Sequence, residues 1–281
     1  MFGLISKFSK QERLGSLIVS KIEYLIGCNW FSPLLTLYFN FRLFPISQAL
    51  RLPVYVYGKA KFLSLHGQCR IEGKVVSGMI RINNSSLAPG NSSIPAEFVI
   101  DGSIVFNGCG RIAPGCKFMV FKSGFLKVGD EFKFQENCNI AVFGDVKIGN
   151  FVRITHECQL MDSSFHYMVH LESQRVNKLF KPIVIGNYNW IGNRTTIMGG
   201  TMTNDFTIVT SNSLLNKDYS LLPSDSIIGG VPAKFINSGF RRIENEDLDK
   251  HLNEFFMKNL EKKECVVGVD IQCCQIISKL I

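Results

Sequence analysis

The chain has 281 residues, 46% of them apolar and 19% charged, which excludes an unfolded polymer and leaves room for one long or two ordinary domains. Its 31 basic against 23 acidic residues give a net charge of +8, which suits an anionic ligand, an acidic polymer or a membrane surface. No basic run interleaved with aromatic residues points to nucleic acid. Nine cysteines, odd in number and without a CxxC pair, read as reduced packing residues rather than as a zinc or redox centre. With no signal peptide and no apolar run of membrane-spanning length, they point to the cytoplasm.

In chain order, residues 1–52 read as a helical arm. Leu14, Leu17, Ile18, Ile22, Leu25 and Ile26 follow helical spacing up to Gly27, and a second helix is expected to start with Ser32 as its cap and Pro33 in its first turn. The arm is expected to close the open end of the strand-rich region that begins at Pro53, since terminal repeats need a cap. The alternative is that it lies on a membrane surface. Residues 53–237 read as short strands, irregular at first, with Val56, Phe62, Ile71, Ile80 and Ile82 inward and a loop over 83–93. Further inward positions are Phe106, Ile112, Phe118, Val128, Phe134, Ile140, Ile148, Ile154 and Leu160. The pattern lapses over 162–182, a projecting loop of the kind that often carries function. Residues 238–281 read as a C-terminal helix, with Leu248, Leu252, Phe255, Phe256 and Leu260 on one face, and then an apolar tail.

The most regular stretch is 185–234. Ile185, Ile191, Ile197, Thr203, Val209 and Leu215 recur at a step of six, and Asn189, Thr195, Thr201, Thr207 and Ser213 recur four residues after them. No helix has that period; six-residue units belong to parallel β-helices, where three units complete a coil of 18 residues. At about 4.8 Å between coils, eight to ten coils are expected. Gly186, Asn187, Gly192, Asn193, Gly199, Gly200, Asn204 and Asn212 are expected to form the turns because they tolerate positive φ. Cys138 and Cys158 occupy the second repeat position and read as packing.

These units, together with the run IIGGVPAKFI over 227–236, resemble the hexapeptide-repeat acyltransferases, in particular the maltose/galactoside acetyltransferase-like branch and its relatives in polysaccharide biosynthesis. The resemblance covers about residues 53–237. It implies an all-β fold, a left-handed parallel β-helix with an N-terminal helical arm and a C-terminal helix, assembled as a homotrimer. It also implies acetyl-coenzyme A as donor, a saccharide acceptor, and no metal.

The resemblance further assigns site residues. His166, in the segment MDSSFHYM, matches the family's general base, and histidine suits that work at neutral pH. The family's second acid is Ser164 here, which leaves Asp162 as the nearby acid to orient the ring. Trp190, Asn193, Gly199, Ser211, Asn216, Lys217 and Lys234 match donor-binding positions, with the two lysines directed at phosphates. Gln135 and Asn137 match acceptor positions. His156 and His170 read as surface or acceptor-site residues. A zinc site like that of the γ-class carbonic anhydrases, which share the fold, needs another histidine spacing. The expected activity is O-acetylation of a sugar hydroxyl in surface polysaccharide or lipopolysaccharide assembly, by direct transfer, with a backbone N–H near Gly199 or Gly200 stabilising the oxyanion. N-acetylation of an amino sugar and a non-catalytic scaffold are the alternatives.

Overall fold

The structure is a computed structural model that describes residues 30–84 and 94–267. The helix expected from Leu14 to Ile26 and most of the C-terminal tail lie outside the described residues. Two compact units meet at residues 239 and 240.

In the first unit the period-two alternation of buried and outward side chains builds three parallel sheets that wind into a prism. The first face runs from Val54–Val56 through Gly110–Ile112, Phe132–Phe134, Trp190–Ile191 and Ile208–Val209 to Ser226–Gly229; Lys234–Ser238 adds to it antiparallel. The second face runs from Lys61–Ser64 through Asn139–Val142 and Thr196–Met198 to Leu214–Leu215. The third runs from Gln68–Ile71 through Asp145–Ile148 to Ile183–Ile185 and is extended by bridges from Val184 to Met202 and from Met202 to Asp218. This is the parallel β-helix expected.

It is shorter than expected. The second face holds seven strands, so the prism makes between seven and eight coils rather than eight to ten. The reason is coil length. Ile104 pairs with Leu126 and Leu126 with Val146, steps of 22 and 20, and Val146 pairs with Ile183 across the projecting loop. The step is 18 where Val184 meets Met202, Ile191 meets Val209 and Ile197 meets Leu215.

All six members of the Ile185 ladder are buried, and so are the five members of the Asn189 column. The hydroxyls of that column turn back onto corner carbonyls: Thr201 donates to Met198 O (2.7 Å), Thr207 to Asn204 O (2.9 Å) and Ser213 to Thr210 O (2.7 Å). In the wider lower coils the interior is aromatic, with Phe98, Phe118 and Phe134 following one another at centroid distances of 5.9 and 6.0 Å. Phe62, in the first coil, is only partly buried.

The turns differ from expectation. Of the eight residues expected to take positive φ, Gly200 and Asn212 do; elsewhere positive φ falls on Tyr188, Arg194 and Phe206, not on Gly186, Asn187, Gly192, Asn193, Gly199 or Asn204. Gly186 and Gly192 answer to crowding: a Cβ at Gly186 would lie 2.5 Å from Asn204 C, and one at Gly192 would lie 2.5 Å from Ser211 N. The coil above passes too close for any side chain.

Helix α1, Pro33–Leu43, begins with Pro33 in its first turn, but the Ser32 side chain makes no capping bond. Ser32 is buried and its backbone N–H donates to Val56 O (2.9 Å). α1 buries Thr36, Phe39, Asn40 and Leu43 at the first coil. There Asn40 Nδ2 donates to Val54 O (2.7 Å), Val54 N–H donates to Asn40 Oδ1 (3.1 Å), and Val56 N–H donates to Thr36 Oγ1 (3.0 Å). A buried amide and hydroxyl thus satisfy backbone groups that the terminal strand would otherwise expose. The short α2, Ile46–Ala49, comes directly after Pro45.

In the second unit α3 spans Glu246–Lys258, and Asn245 Oδ1 accepts the N–H groups of Asp247 and Leu248 at its start. Leu260, expected on its apolar face, lies beyond its end and is exposed.

Candidate active site

The corners of the prism carry the candidate residues, and they fall on two different edges. After each first-face strand the chain turns a corner into the second face. Gln135 and Asn137 lie on this edge in one coil, His156 in the next, then Asn193 and Ser211. Asn212 N–H donates to Asn193 O (2.8 Å), which stacks those last two turns directly. Trp190, partly exposed, points outward from the strand just before this edge. Lys234 pairs opposite Gly229 at the far end of the same face, across a turn with a cis Val231–Pro232 peptide.

The second edge, from second face to third, carries Asp162, the projecting loop with His166, Gly199, Asn216 and Lys217. The loop base is tightly closed. Lys181 N–H donates to Asp162 O (3.0 Å), Gly200 N–H donates to Pro182 O (2.9 Å), and a Cβ at Gly199 would come within 2.5 Å of Asp162 O. Because Pro182 already takes the Gly200 N–H, that group is not the spare donor expected for an oxyanion.

Asp162 also departs from expectation. It is buried, and its two carboxylate oxygens accept the N–H groups of Phe143 (2.8 Å) and Gly144 (2.6 Å) in the coil below. Burial pushes its pKa up, and these two amide bonds oppose the shift. The carboxylate holds the corner, and its hydrogen bonds among the described residues are to these backbone amides and not to the His166 ring.

An aromatic cluster that the repeat pattern does not announce sets the loop. Phe121 and Phe143 stack at 4.0 Å, and Phe165 packs edge-on against Phe143 at 4.8 Å. Phe165 has positive φ, Phe165 N–H donates to Ser163 Oγ (3.1 Å), and Ser164 Oγ donates to His166 O (3.1 Å). The backbone on either side of the histidine is therefore fixed, while its side chain is exposed. Phenylalanines at equivalent corner positions of successive coils are the signal in the sequence that points to it. His170 is committed elsewhere: in the hairpin of Val169–His170 with Arg175–Val176, its Nδ1 accepts from Ser173 N–H (3.2 Å).

The corner cysteines, the Cys109 cluster and the third-face groove are held by bonds among their own groups. Cys116, Cys138 and Cys158 line the inside of the first edge and donate to the carbonyls of Gln135 (3.1 Å), Thr155 (3.0 Å) and Gly192 (3.1 Å). Contact with the neighbouring thiol, together with burial, holds Cys138 and Cys158 well above the ordinary thiol range, which makes them poor nucleophiles. Cys109, Asp130 and Glu131 come together at the third corner, but Asp130 Oδ1 already accepts the backbone N–H groups of the other two. A groove of about 730 Å³ along the third face contains none of the predicted residues. Its Asn150, Asn187 and Asp205 are joined to one another: Asn150 N–H donates to Asn187 Oδ1 and Asn187 N–H to Asp205 Oδ1.

The donor set on the first edge fits an extended, amide-bearing cofactor. Asn193 and Ser211 offer hydrogen-bonding side chains one coil apart, and the exposed Lys234 supplies positive charge at the end of that face. Lys217, also exposed, stands on the other edge with its Nζ 5.5 Å from the Tyr219 ring centroid.

No family model matches the chain. It is 26% identical over 144 residues to a putative lipopolysaccharide biosynthesis O-acetyl transferase, WbbJ, of Escherichia coli strain K12, covering 48% of this chain and 72% of that protein. It is 31% identical over 121 residues to the galactoside O-acetyltransferase of the same organism, covering 42% of this chain and only 54% of that protein, little more than half its length. Among solved structures it is similar to the polySia specific acetyltransferase NeuO, at 18% identity and a TM-score of 0.42 over 71% of this chain and 93% of that one. The six-residue ladder and the parallel prism it builds make a parallel β-helix, and in sequence the chain is similar to these two acetyltransferases.

Proposed function

We propose that the protein transfers an acetyl group from acetyl-coenzyme A to a sugar hydroxyl in the assembly of a surface polysaccharide or lipopolysaccharide, on the cytoplasmic side of the membrane. Both acetyltransferase relatives support the reaction type, and the name of one supports the setting. The observation that carries the reading is the division of the candidate residues between two edges that flank the second face. One edge holds Trp190, Asn193 and Ser211, with Gln135 and Asn137 below them; the other holds His166, Gly199, Asn216 and Lys217. A single chain cannot bring the two sets together across a sheet. A homotrimer arranged around its second faces does so, by setting the first edge of one protomer against the second edge of the next. That face supports such packing: Val99, Met119, Met161 and Met198 stand in register on its outer side, with the small, covered Ala141 between Met119 and Met161.

In this site the donor lies along the first edge, with Lys234 near its phosphates and Gln135 and Asn137 near the saccharide. The His166 imidazole takes the hydroxyl proton as the oxygen bonds to the thioester carbonyl carbon. The oxyanion is met by a backbone donor at Gly199. The carbon–sulfur bond then breaks, and the imidazolium returns the proton to the departing sulfur, giving an ester and free coenzyme A without a covalent enzyme intermediate.

The test is thiol release from acetyl-coenzyme A across a panel of saccharide acceptors. His166→Ala is expected to lower the rate by about 100-fold or more, the usual worth of a positioned general base. Equal rates for the two proteins refute the mechanism. A monomer by light scattering refutes the shared site.

A further inference from the structure

Helix α1 is apolar on two sides. One stripe, Thr36, Phe39, Asn40 and Leu43, closes the prism. The opposite stripe, Leu34, Leu37, Tyr38 and Phe41, has the same i, i+3, i+4, i+7 spacing and points into solvent, with Leu34 80% exposed. Two further large side chains extend the surface from α2 and its end, Ile46 at 72% and Leu50 at 68% exposure. Scattered apolar side chains are ordinary on a protein surface, but six gathered on one short helical pair are not.

Charge singles out the partner. From Trp30 to Ile71 the sequence holds Arg42, Arg51, Lys59, Lys61 and Arg70 and no aspartate or glutamate; Lys61 is paired with Glu97 (3.0 Å) and Arg70 with Glu72 (2.7 Å), which leaves Arg42, Arg51 and Lys59 as the uncompensated charge. Arg42, Arg51 and Lys59 are exposed and make no ion pair among the described residues. Beside α1 a hollow of about 490 Å³ has Arg42, Arg70, Gln68 and Ser103 in its walls, with Phe44 and Phe125 next to them. A second protein partner would need groups complementary to both the greasy stripe and this one-signed charge. An anionic bilayer presents both at once: acyl chains for the leucines and aromatics, and phosphates for the arginines. An 11-residue helix is about 16 Å long, too short to cross a hydrocarbon core of about 30 Å, so it would lie in the plane of the interface.

We infer that the α1–α2 end of the prism is a docking surface for an anionic lipid bilayer. The inference stands apart from the acyl-transfer reading, because it uses the closed end of the prism and none of the candidate site residues.

The experiment is co-sedimentation of the full chain with vesicles. Binding to vesicles of phosphatidylglycerol and phosphatidylcholine is expected, with at least tenfold weaker binding to phosphatidylcholine alone and weakening as salt rises. Leu37→Asp with Phe41→Asp should lower binding to the anionic vesicles by tenfold or more. Arg42→Glu with Arg51→Glu should remove most of the salt dependence. These positions are exposed, so an unchanged melting temperature is expected and separates lost docking from lost folding. Absence of binding to anionic vesicles overturns the inference, and so does binding that the substitutions leave intact. If Leu37→Asp with Phe41→Asp instead reduces the oligomer size in vesicle-free buffer, a second copy of the chain covers this face and the inference is likewise overturned.

Discussion

From Glu97 to Met161 five phenylalanines, Phe98, Phe106, Phe118, Phe132 and Phe134, are buried among isoleucine, valine and leucine; from Ile183 to Gly229 no phenylalanine is buried, and isoleucine, valine and leucine fill the interior beside Tyr219, with a column of threonines and Asn189 at the corner. The lower coils take 20 to 22 residues from one strand to the next on the same face and the upper coils 18. A longer circumference admits a benzene ring inward on each level. A tighter one leaves space at the corner only for a small side chain, and the corner's carbonyls then need a donor, which threonine, serine and asparagine supply. The two regions should therefore fail differently, the lower by cavity and the upper by unpaired polar groups.

The largest effect is expected from Phe118→Ala. The ring is fully buried between Phe98 and Phe134, and the residues around it belong to rigid strands that cannot close over the gap. The expected loss is about 3–5 kcal/mol, measured by denaturant unfolding. A loss below about 1 kcal/mol would show that the aromatic stack relaxes and is not the close-packed interior described.

In the upper coils the corresponding probe is polar. Asn189 is fully buried; its Oδ1 accepts from Thr203 Oγ1 (2.8 Å) and its Nδ2 donates to Asn187 O (3.1 Å) and Asn204 O (2.8 Å). Asn189→Ala leaves the Thr203 hydroxyl without its acceptor, at about 1–3 kcal/mol, while the two carbonyls keep Phe206 N–H and Thr207 Oγ1 as donors. Thr203→Val also takes the acceptor from the Gly186 N–H (3.1 Å), so it carries a cost of its own, but the two substitutions share one bond and together should cost less than their sum; strict additivity would break the distinction between the regions. The plain aliphatic change Ile197→Val, at a fully buried position in the same coils, should cost only about 0.5–1.5 kcal/mol.

The contrast also explains what is legible in the sequence. Six-step periodicity is visible where the coils are 18 residues long, so the inward positions from Ile185 to Leu215 can be named one by one. In the lower coils two to four extra residues enter at corners and displace the period, so a count at 18 residues per coil comes out high. The aromatic signal survives there because burial does not depend on period. The turns mislead for another reason. Composition reports that Gly186 and Gly192 are special, but only the stacked coil shows that the constraint is the backbone of residues 204 and 211 overhead. The candidate site is legible as residue types and not as geometry. His166 announces itself by its motif, whereas the commitments of Asp162 and Gly200 depend on partners that lie far off in sequence or across the loop base.

The smallest effect concerns the join between the two regions, where Asp162 holds Phe143 and Gly144 of the lower coils at the point where the loop departs. Burial raises its pKa in the folded chain above its unfolded value. The folded protein therefore binds that proton more tightly than the unfolded one does. The stability this group contributes is full below the ordinary aspartate pKa and is lost as pH rises through the raised value. Asp162→Asn keeps one acceptor oxygen for the two amides and has no proton to lose. Its unfolding free energy should lack this group's decline as pH rises out of the acid range. Because the carboxylate is turned to the corner, the proposed mechanism expects the pH–rate profiles of wild type and Asp162→Asn to coincide. A displaced profile would mean that Asp162 and His166 communicate, and that the loop closes onto Asp162 when a substrate is bound.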